Sequence, residues 1–422
     1  MILIKGGRLI DPRSGTDESL DIIIEDSKIK AIGTFSTDGE YERVIDASGL
    51  TVAPGLIDVH VHFRDPGLTY KEDLSSGAAA AVRGGYTSVV CMANTKPAID
   101  NCDTLKDILD RAANSPINIY AVASVSKNLG GKELTDMRAL KDMGAVGLSD
   151  DGIPLMNTAF LQKALLAAKA LGLPISLHEE DPELIGVAGV NHGKVAEKLG
   201  FTGAPSVSES SVVARDCMLA LSTGAKLHIQ HVSTAESVAA IRLAKQLGAN
   251  VTAEVTPQHL ALTEDEVLTK GTLAKLNPPL RTEADRLALI AGLNDGTIDI
   301  IATDHAPHSA EEKARPFADA PSGVTGLETA LAVCITYLVR SGHLSLPELI
   351  KKMALAPAGL YSLDAGYLAE GGNADIFIFD DNEKWTVTDF ASKSSNSPFI
   401  NESLCGKVKY TICSGKILYA DS

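Results

Sequence analysis

The chain has few cysteines, few aromatic residues and no run of basic ones. Its six cysteines (Cys91, Cys102, Cys217, Cys334, Cys405 and Cys413) are scattered through 422 residues without CxxC spacing. That pattern argues against a thiolate metal site or a disulfide framework, and predicts reduced thiols in a cytoplasmic protein. There is no Lys/Arg cluster, and 54 acidic residues against 38 basic ones give a net charge of −16. That balance argues against a nucleic-acid or anionic-membrane surface, and an anionic substrate would need a local basic pocket. No uninterrupted apolar stretch approaches the length of a bilayer span. The first residues, Met-Ile-Leu-Ile-Lys-Gly-Gly, lack the regions of a signal peptide. Solenoid repeats and low-complexity tracts are also missing. What remains, at 45% hydrophobic and 22% charged, is the composition of an ordinary globular protein with room for one large domain and a smaller one.

Residues 1–53 show no helical period. They read as β segments at Ile2–Ile10, Asp21–Ile32 and Arg43–Ala53, rich in Ile and Val and broken by Gly and Asp. After Pro54, short apolar runs alternate about eight times with alanine-rich amphipathic stretches, the signature of an α/β fold of the (β/α)8 TIM-barrel class. The predicted strands are Leu56–Val61, Thr87–Met92, Ile117–Ser124, Ala145–Leu148, Pro174–Leu177, Lys226–Gln230, Asn250–Val255 and Ile298–Thr303. Helices are predicted between them, for example over Thr158–Leu171 and Ala235–Leu247. From about Gly366 the β texture returns in Ala374–Phe379 and Val408–Tyr419. The expected organisation is therefore a small β-sandwich domain built from both termini (1–53 plus 366–422) around a barrel (54–365).

Barrel enzymes carry their chemistry at the carboxyl ends of the strands. His60 and His62 close the first strand on one face, since side chains alternate along a strand. Asp150 and Asp151 follow the fourth strand, His178 ends the fifth, His231 the sixth and Asp304 the eighth. Four histidines and two carboxylates converging on one mouth form the nitrogen and oxygen ligand set that suits Zn²⁺, as one ion or as two bridged by a carboxylate. The other histidines read as structural or superficial. By strand parity His228 points away from the axis toward a helix, His192 and His343 lie in surface sequence, and His305 faces away from Asp304. His259 is open between a supporting and a structural role. Arg64, Asn94, Asn277 and His308 supply donors for an anionic or amide-rich ligand.

Together the motifs resemble the amidohydrolase superfamily, and within it the long bacterial type of the dihydroorotase family. The segments that carry the likeness are His60-Val-His62-Phe-Arg64-Asp-Pro-Gly67, Asn94-Thr-Lys-Pro97, Ser149-Asp-Asp151-Gly152, Asn277-Pro-Pro-Leu-Arg281 and Ala302-Thr-Asp304-His-Ala-Pro-His308. The resemblance runs from the first β segments to about Ala420. It implies zinc held by His60, His62, Asp151, His178, His231 and Asp304, and substrate contacts from Arg64, Asn94, Asn277, His308, Ser322 and Gly323. The implied reaction is the zinc-dependent closure of N-carbamoyl-L-aspartate to L-dihydroorotate, with Asp304 as catalytic base, in a homo-oligomer that can associate with aspartate transcarbamoylase. Two departures stand out. Many relatives have a carboxylated lysine after the fourth strand, where this chain has Ser149-Asp150-Asp151-Gly152, so aspartate must bridge. The family's Met-Pro-Asn-Thr appears as Met92-Ala93-Asn94-Thr95. The Gly- and Pro-bearing stretch 305–326 is expected to fold over the mouth.

Two alternatives stand beside this reading. A hydantoinase or allantoinase on the same scaffold acts on neutral rings that give Arg64 no carboxylate, and usually keeps the bridging lysine. A silent homologue that only scaffolds aspartate transcarbamoylase typically loses metal ligands, and all six are present here.

Overall fold

The computed structural model describes residues 1–421. Eight parallel segments close into a ring. Leu56–Val61 pairs with Tyr86–Cys91, which pairs with Asn118–Ala121. Leu148 then bridges Ala123 on one side and Ile175 on the other. The ladder continues through Ile175–Leu177, Leu227–Ile229, Val251–Val255 and Ile300–Ile301. A bridge from Val61 to His305, with the His62 amide donating to the His305 carbonyl at 2.9 Å, joins the last strand to the first. Every residue of the first two strands is buried, as a parallel sheet covered by helices requires. The fourth strand is reduced to its last residue, Leu148. Just before it, a β-carbon at Gly147 would sit 2.5 Å from the Tyr361 ring, so the backbone there makes room for an aromatic side chain.

The connecting helices are punctuated by the residues their ends need. Asp73, Asn101, Asp136, Asn157, Thr234 and Thr282 accept backbone amides at helix starts, and left-handed Gly144, Gly172, Gly224 and Gly296 end helices. The helix over Thr158–Leu171 has the bounds its periodicity predicts, and Ala235–Gln246 stops one residue short of the expected end.

Both termini contribute to one eight-stranded sheet, in which Thr51–Pro54 pairs with Ile2–Asp11 on one side and Ile376–Thr386 on the other. Ile22, Ile24 and Ile29 from one end of the sheet share a core with Ile376, Ile378 and Ile412 from the other, so the sheet folds over its own interior. The long β segments predicted at Asp21–Ile32 and Arg43–Ala53 each split in two. Left-handed Asp26 turns the first between Thr16–Glu25 and Lys28–Gly33, and the second breaks into Arg43–Asp46 and Thr51–Pro54 around Gly49. Isoleucine-rich sequence continues across the first turn, which hid it.

Candidate metal centre and substrate pocket

His60 and His62 lie at the carboxyl end of the first strand with their Nε2 atoms turned toward two carboxylates. His60 Nε2 is 3.5 Å from both Asp151 Oδ1 and Asp304 Oδ1. His62 Nε2 is 3.3 Å from Asp151 Oδ2 and 3.0 Å from Asp304 Oδ1. Across the mouth, His178 Nδ1 and His231 Nε2 are 2.9 Å apart, and His231 Nε2 is 3.9 Å from Asp151 Oδ1. Two compact donor groups result, His60/His62/Asp151 and Asp151/His178/His231, and Asp151 belongs to both. Within them His60 Nε2 and Asp151 Oδ1 are buried with no hydrogen-bond partner. Burying a polar atom unpaired costs free energy. A lone pair from imidazole and another from carboxylate, aimed at one point, form a donor set that fits a divalent cation.

The proton-bearing sides of the imidazoles are held from behind. His60 Nδ1 is 2.5 Å from Glu254 Oε1, and the other oxygen of Glu254 is 3.0 Å from His228 Nε2. His62 Nδ1 is 3.0 Å from Asn94 Oδ1, while the Asn94 amide nitrogen donates to Asp151 Oδ2 at 3.2 Å. His178 Nε2 is 3.0 Å from Glu180 Oε2. Each of these ligand-side histidines therefore has one nitrogen fixed by an acceptor and the other turned into the cluster, where that of His60 has no hydrogen-bond partner. Asn94, expected to touch substrate, has both ends of its amide committed to His62 and Asp151.

Glu254, like Glu180, is a supporting carboxylate that the sequence reading does not single out. Its one available signal is a lone carboxylate in the otherwise apolar and hydroxylic strand Val251–Val255. His228 corrects the parity argument. It faces the barrel interior and contacts Glu254, because the sixth strand ends at Ile229 and His231 beyond it has φ +33°, outside strand geometry. Alternation cannot be counted across such a break.

The charges respond to this crowding. Burial opposes ionisation of His60, but Glu254, Asp151 and Asp304 hold its pKa well above the ordinary value. Burial likewise opposes the anions at Asp151 and Asp304, and the neighbouring imidazoles, His60 foremost, hold both below the usual carboxylate range. Burial and the adjacent His178 push His231 down to about 4. Asp150 turns away and accepts the amides of Val125 and Ser126 at 2.7 and 3.2 Å, fixing the preceding loop. His305, read as structural, hydrogen-bonds Glu72 at 3.3 Å, and His259, whose role the sequence leaves open, is 2.7 Å from Thr256 Oγ1 and 3.1 Å from the Pro278 carbonyl.

Above the cluster is a cavity of about 240 Å³ lined by His62, Arg64, Asn94, Asp151, His178, His231, Asn277, Asp304, His308, Ser322 and Gly323, among others. All the expected site residues meet here except His60, which is buried beneath the floor. Arg64 Nε donates to the Pro307 carbonyl at 3.3 Å, and its Nη2 is 3.4 Å from His308 Nε2. His308 is neutral at physiological pH, because burial and the positive Arg64 and Lys71 press its pKa down to about 3. Its Nε2 donates to the Ser322 carbonyl at 2.9 Å. Asn277 Oδ1 is buried without a partner. The Gly323 amide is taken by the Lys275 carbonyl at 2.9 Å, and a β-carbon there would lie 2.7 Å from that of Ala306. Gly323 thus supplies a bare wall in place of a free donor. Arg64, His231 and Asp304, all lining this cavity, adopt positive φ (+59°, +33° and +48°), a backbone strain that the surrounding structure must hold in place.

A family model described as Dihydro-orotase-like matches residues 49–237. A dihydroorotase from Clostridioides difficile is 58% identical over 419 residues, covering 99% of this chain and 100% of the relative. One from Lactococcus lactis is 56% identical, with 99% of each chain covered. Among solved structures, an L-hydantoinase (dihydropyrimidinase) from Arthrobacter aurescens superposes with a TM-score of 0.88 at 26% identity, covering 99% of this chain and 96% of that one. No helix among the described residues is long and apolar enough to cross a membrane.

Proposed function

Because the chain belongs to the dihydroorotase family, we propose that the pocket interconverts N-carbamoyl-L-aspartate and L-dihydroorotate, and that the metal it holds is zinc. The chain is a cyclic amide hydrolase of pyrimidine biosynthesis. The observation that carries the assignment to this pocket is the pairing of a floor of unpaired imidazole and carboxylate donors with a guanidinium on the wall. His60, His62, Asp151, His178, His231 and Asp304 would hold the metal, and the place of Asp151 in both donor groups suits a carboxylate shared between two ions. When bound, zinc supplies Lewis acidity toward the ring carbonyl and lowers the pKa of water from 15.7 toward about 7.

The remaining work falls to side chains. Arg64, with N–H groups beyond the one given to Pro307, binds the free carboxylate of the substrate through its fork. Asn277 Oδ1 accepts an N–H of the ring. Neutral His308 is locked by its bond to Ser322 and shapes the wall without adding a charge. Asp304 takes the proton of the attacking water on a carboxylate oxygen and delivers it to the leaving ring nitrogen. In the biosynthetic direction the same carboxylate takes the ureido proton as the nitrogen attacks and returns it to the departing hydroxide, which leaves as water.

Hydrolysis of L-dihydroorotate by the purified protein tests the reading, with dihydrouracil and hydantoin as neutral comparators. Faster turnover of the neutral rings than of dihydroorotate would move the assignment to the hydantoinase side of the superfamily.

The imidazole supports are testable separately. Glu254→Ala frees the His60 ring and should weaken zinc affinity about 10–100-fold. Glu254→Gln, which can still pair with one imidazole, should fall between the two. Zinc competition titrations on folded protein read this directly, and wild-type affinity in Glu254→Ala would remove the role assigned to Glu254.

A further inference from the structure

One wall of the pocket is made of two limbs of one connection, residues 306–308 leaving the eighth strand and residues 322–325 returning toward the next helix. Neither limb is a regular element. They touch through one backbone hydrogen bond, Ala306 N to Val324 O at 2.8 Å. Besides the His308 bond to the Ser322 carbonyl within the connection itself, a side chain from outside the barrel fastens them. Asn396 lies in the segment that joins the sheet strands Ile376–Thr386 and Ser403–Cys413, and it is 3% exposed. Its amide nitrogen donates to the Ala306 carbonyl at 3.1 Å and the Gly323 carbonyl at 3.0 Å, and its Oδ1 accepts the His308 amide at 3.0 Å. Its backbone carbonyl takes the Thr325 amide at 3.0 Å. Both amide protons and the amide oxygen are thus used, each on a backbone group of the pocket wall.

The same segment also grips the loop that follows Arg64. Ser394 Oγ donates to the Lys71 carbonyl at 2.8 Å, Ser392 Oγ hydrogen-bonds Glu72, and Lys393 Nζ donates to the Thr69 carbonyl at 2.8 Å. Arg64 in turn rests on the Pro307 carbonyl. Three pieces of the pocket, the 64–73 loop and the two limbs, therefore share one fastening.

We propose that Asn396 is a positioning residue for substrate binding, acting through the Ala306–His308 and Ser322–Thr325 limbs to set the place of the wall against which Arg64, His308 and Gly323 meet the substrate. The inference rests on the reading of this pocket as the dihydroorotate site. A displaced wall weakens contacts made equally in the ground and transition states, so the defect belongs in KM, with kcat preserved. Without that side chain the Ala306 carbonyl and the His308 amide are left unpaired in a buried place, and the Gly323 carbonyl keeps only Lys313 Nζ at 3.0 Å, so the limbs will rearrange rather than stay in position.

Asn396→Ala and Asn396→Asp test this. The first removes all three side-chain bonds. The second keeps the shape and the acceptor for His308 but sets a carboxylate oxygen against two carbonyls. Each should raise KM for dihydroorotate about tenfold or more, change kcat less than about threefold, and leave zinc content at the wild-type level. Hydrogen exchange should quicken at the His308 and Thr325 amides in both variants. A variant that folds with wild-type KM and unchanged exchange at those amides overturns the proposal. So does a fall in kcat with KM unchanged. Should the wild-type protein fail to hydrolyse dihydroorotate, the substrate reading fails on its own, and the exchange measurement still decides whether Asn396 holds the wall.

Discussion

Asp304→Asn should keep the fold and most of the bound zinc while losing about 10²–10⁴ in turnover, the usual worth of a general base. The structure makes this an unusually clean substitution. Asp304 has φ +48°, and asparagine is among the few residues that tolerate the left-handed region, so the backbone strain is the same in both forms. Its carboxylate lies 3.0 Å from His62 Nε2, a contact that an amide oxygen can keep. What an amide cannot do is accept and return a proton. Zinc analysis, thermal unfolding and turnover on one preparation check the point. Turnover above about a tenth of wild type, with zinc retained, would place the base elsewhere.

Arg64→Met should lose about 3 kcal/mol of transition-state binding for dihydroorotate, on the order of a hundredfold in kcat/KM, and little for uncharged dihydrouracil. Two charged hydrogen bonds to a carboxylate account for the loss, and a ring without the carboxylate never made them. Arg64→Lys keeps the charge but not the fork and should already be impaired. All three side chains carry the same left-handed backbone at φ +59°, so its strain cancels in the comparison. Arg64 also donates to the Pro307 carbonyl, and the neutral substrate separates that structural contribution from recognition. Equal losses on both rings would make Arg64 a structural residue.

What the sequence discloses and what it hides divide along physical lines. The barrel is legible because each buried parallel strand is a short apolar run between amphipathic helices, and because His60, His62, His178, His231 and Asp304 fall at strand ends where the fold gathers them. Glu254 stays hidden because its partner His60 is 194 residues away, so nothing local distinguishes a carboxylate that points into the barrel from one that points out. His228 is misread for a related reason, since the strand ends before His231 and the alternation stops with it. Asn396 lies in Ser-Lys-Ser-Ser-Asn-Ser, which has the texture of a surface loop; only the tertiary structure brings it 88 residues back along the chain to His308. Supports that orient a site from another part of the chain carry no periodicity of their own, whereas groups at strand ends inherit their position from the fold.

The central claim is that the His/Asp cluster binds the zinc that dihydroorotate hydrolysis requires. The most direct measurement takes one purified sample through metal analysis and a dihydroorotate assay as isolated, after chelator treatment, and after zinc is restored. The account predicts one or two zinc ions per chain in the active sample, activity lost in step with zinc, and activity regained on reloading. Undiminished turnover in metal-free protein would contradict it.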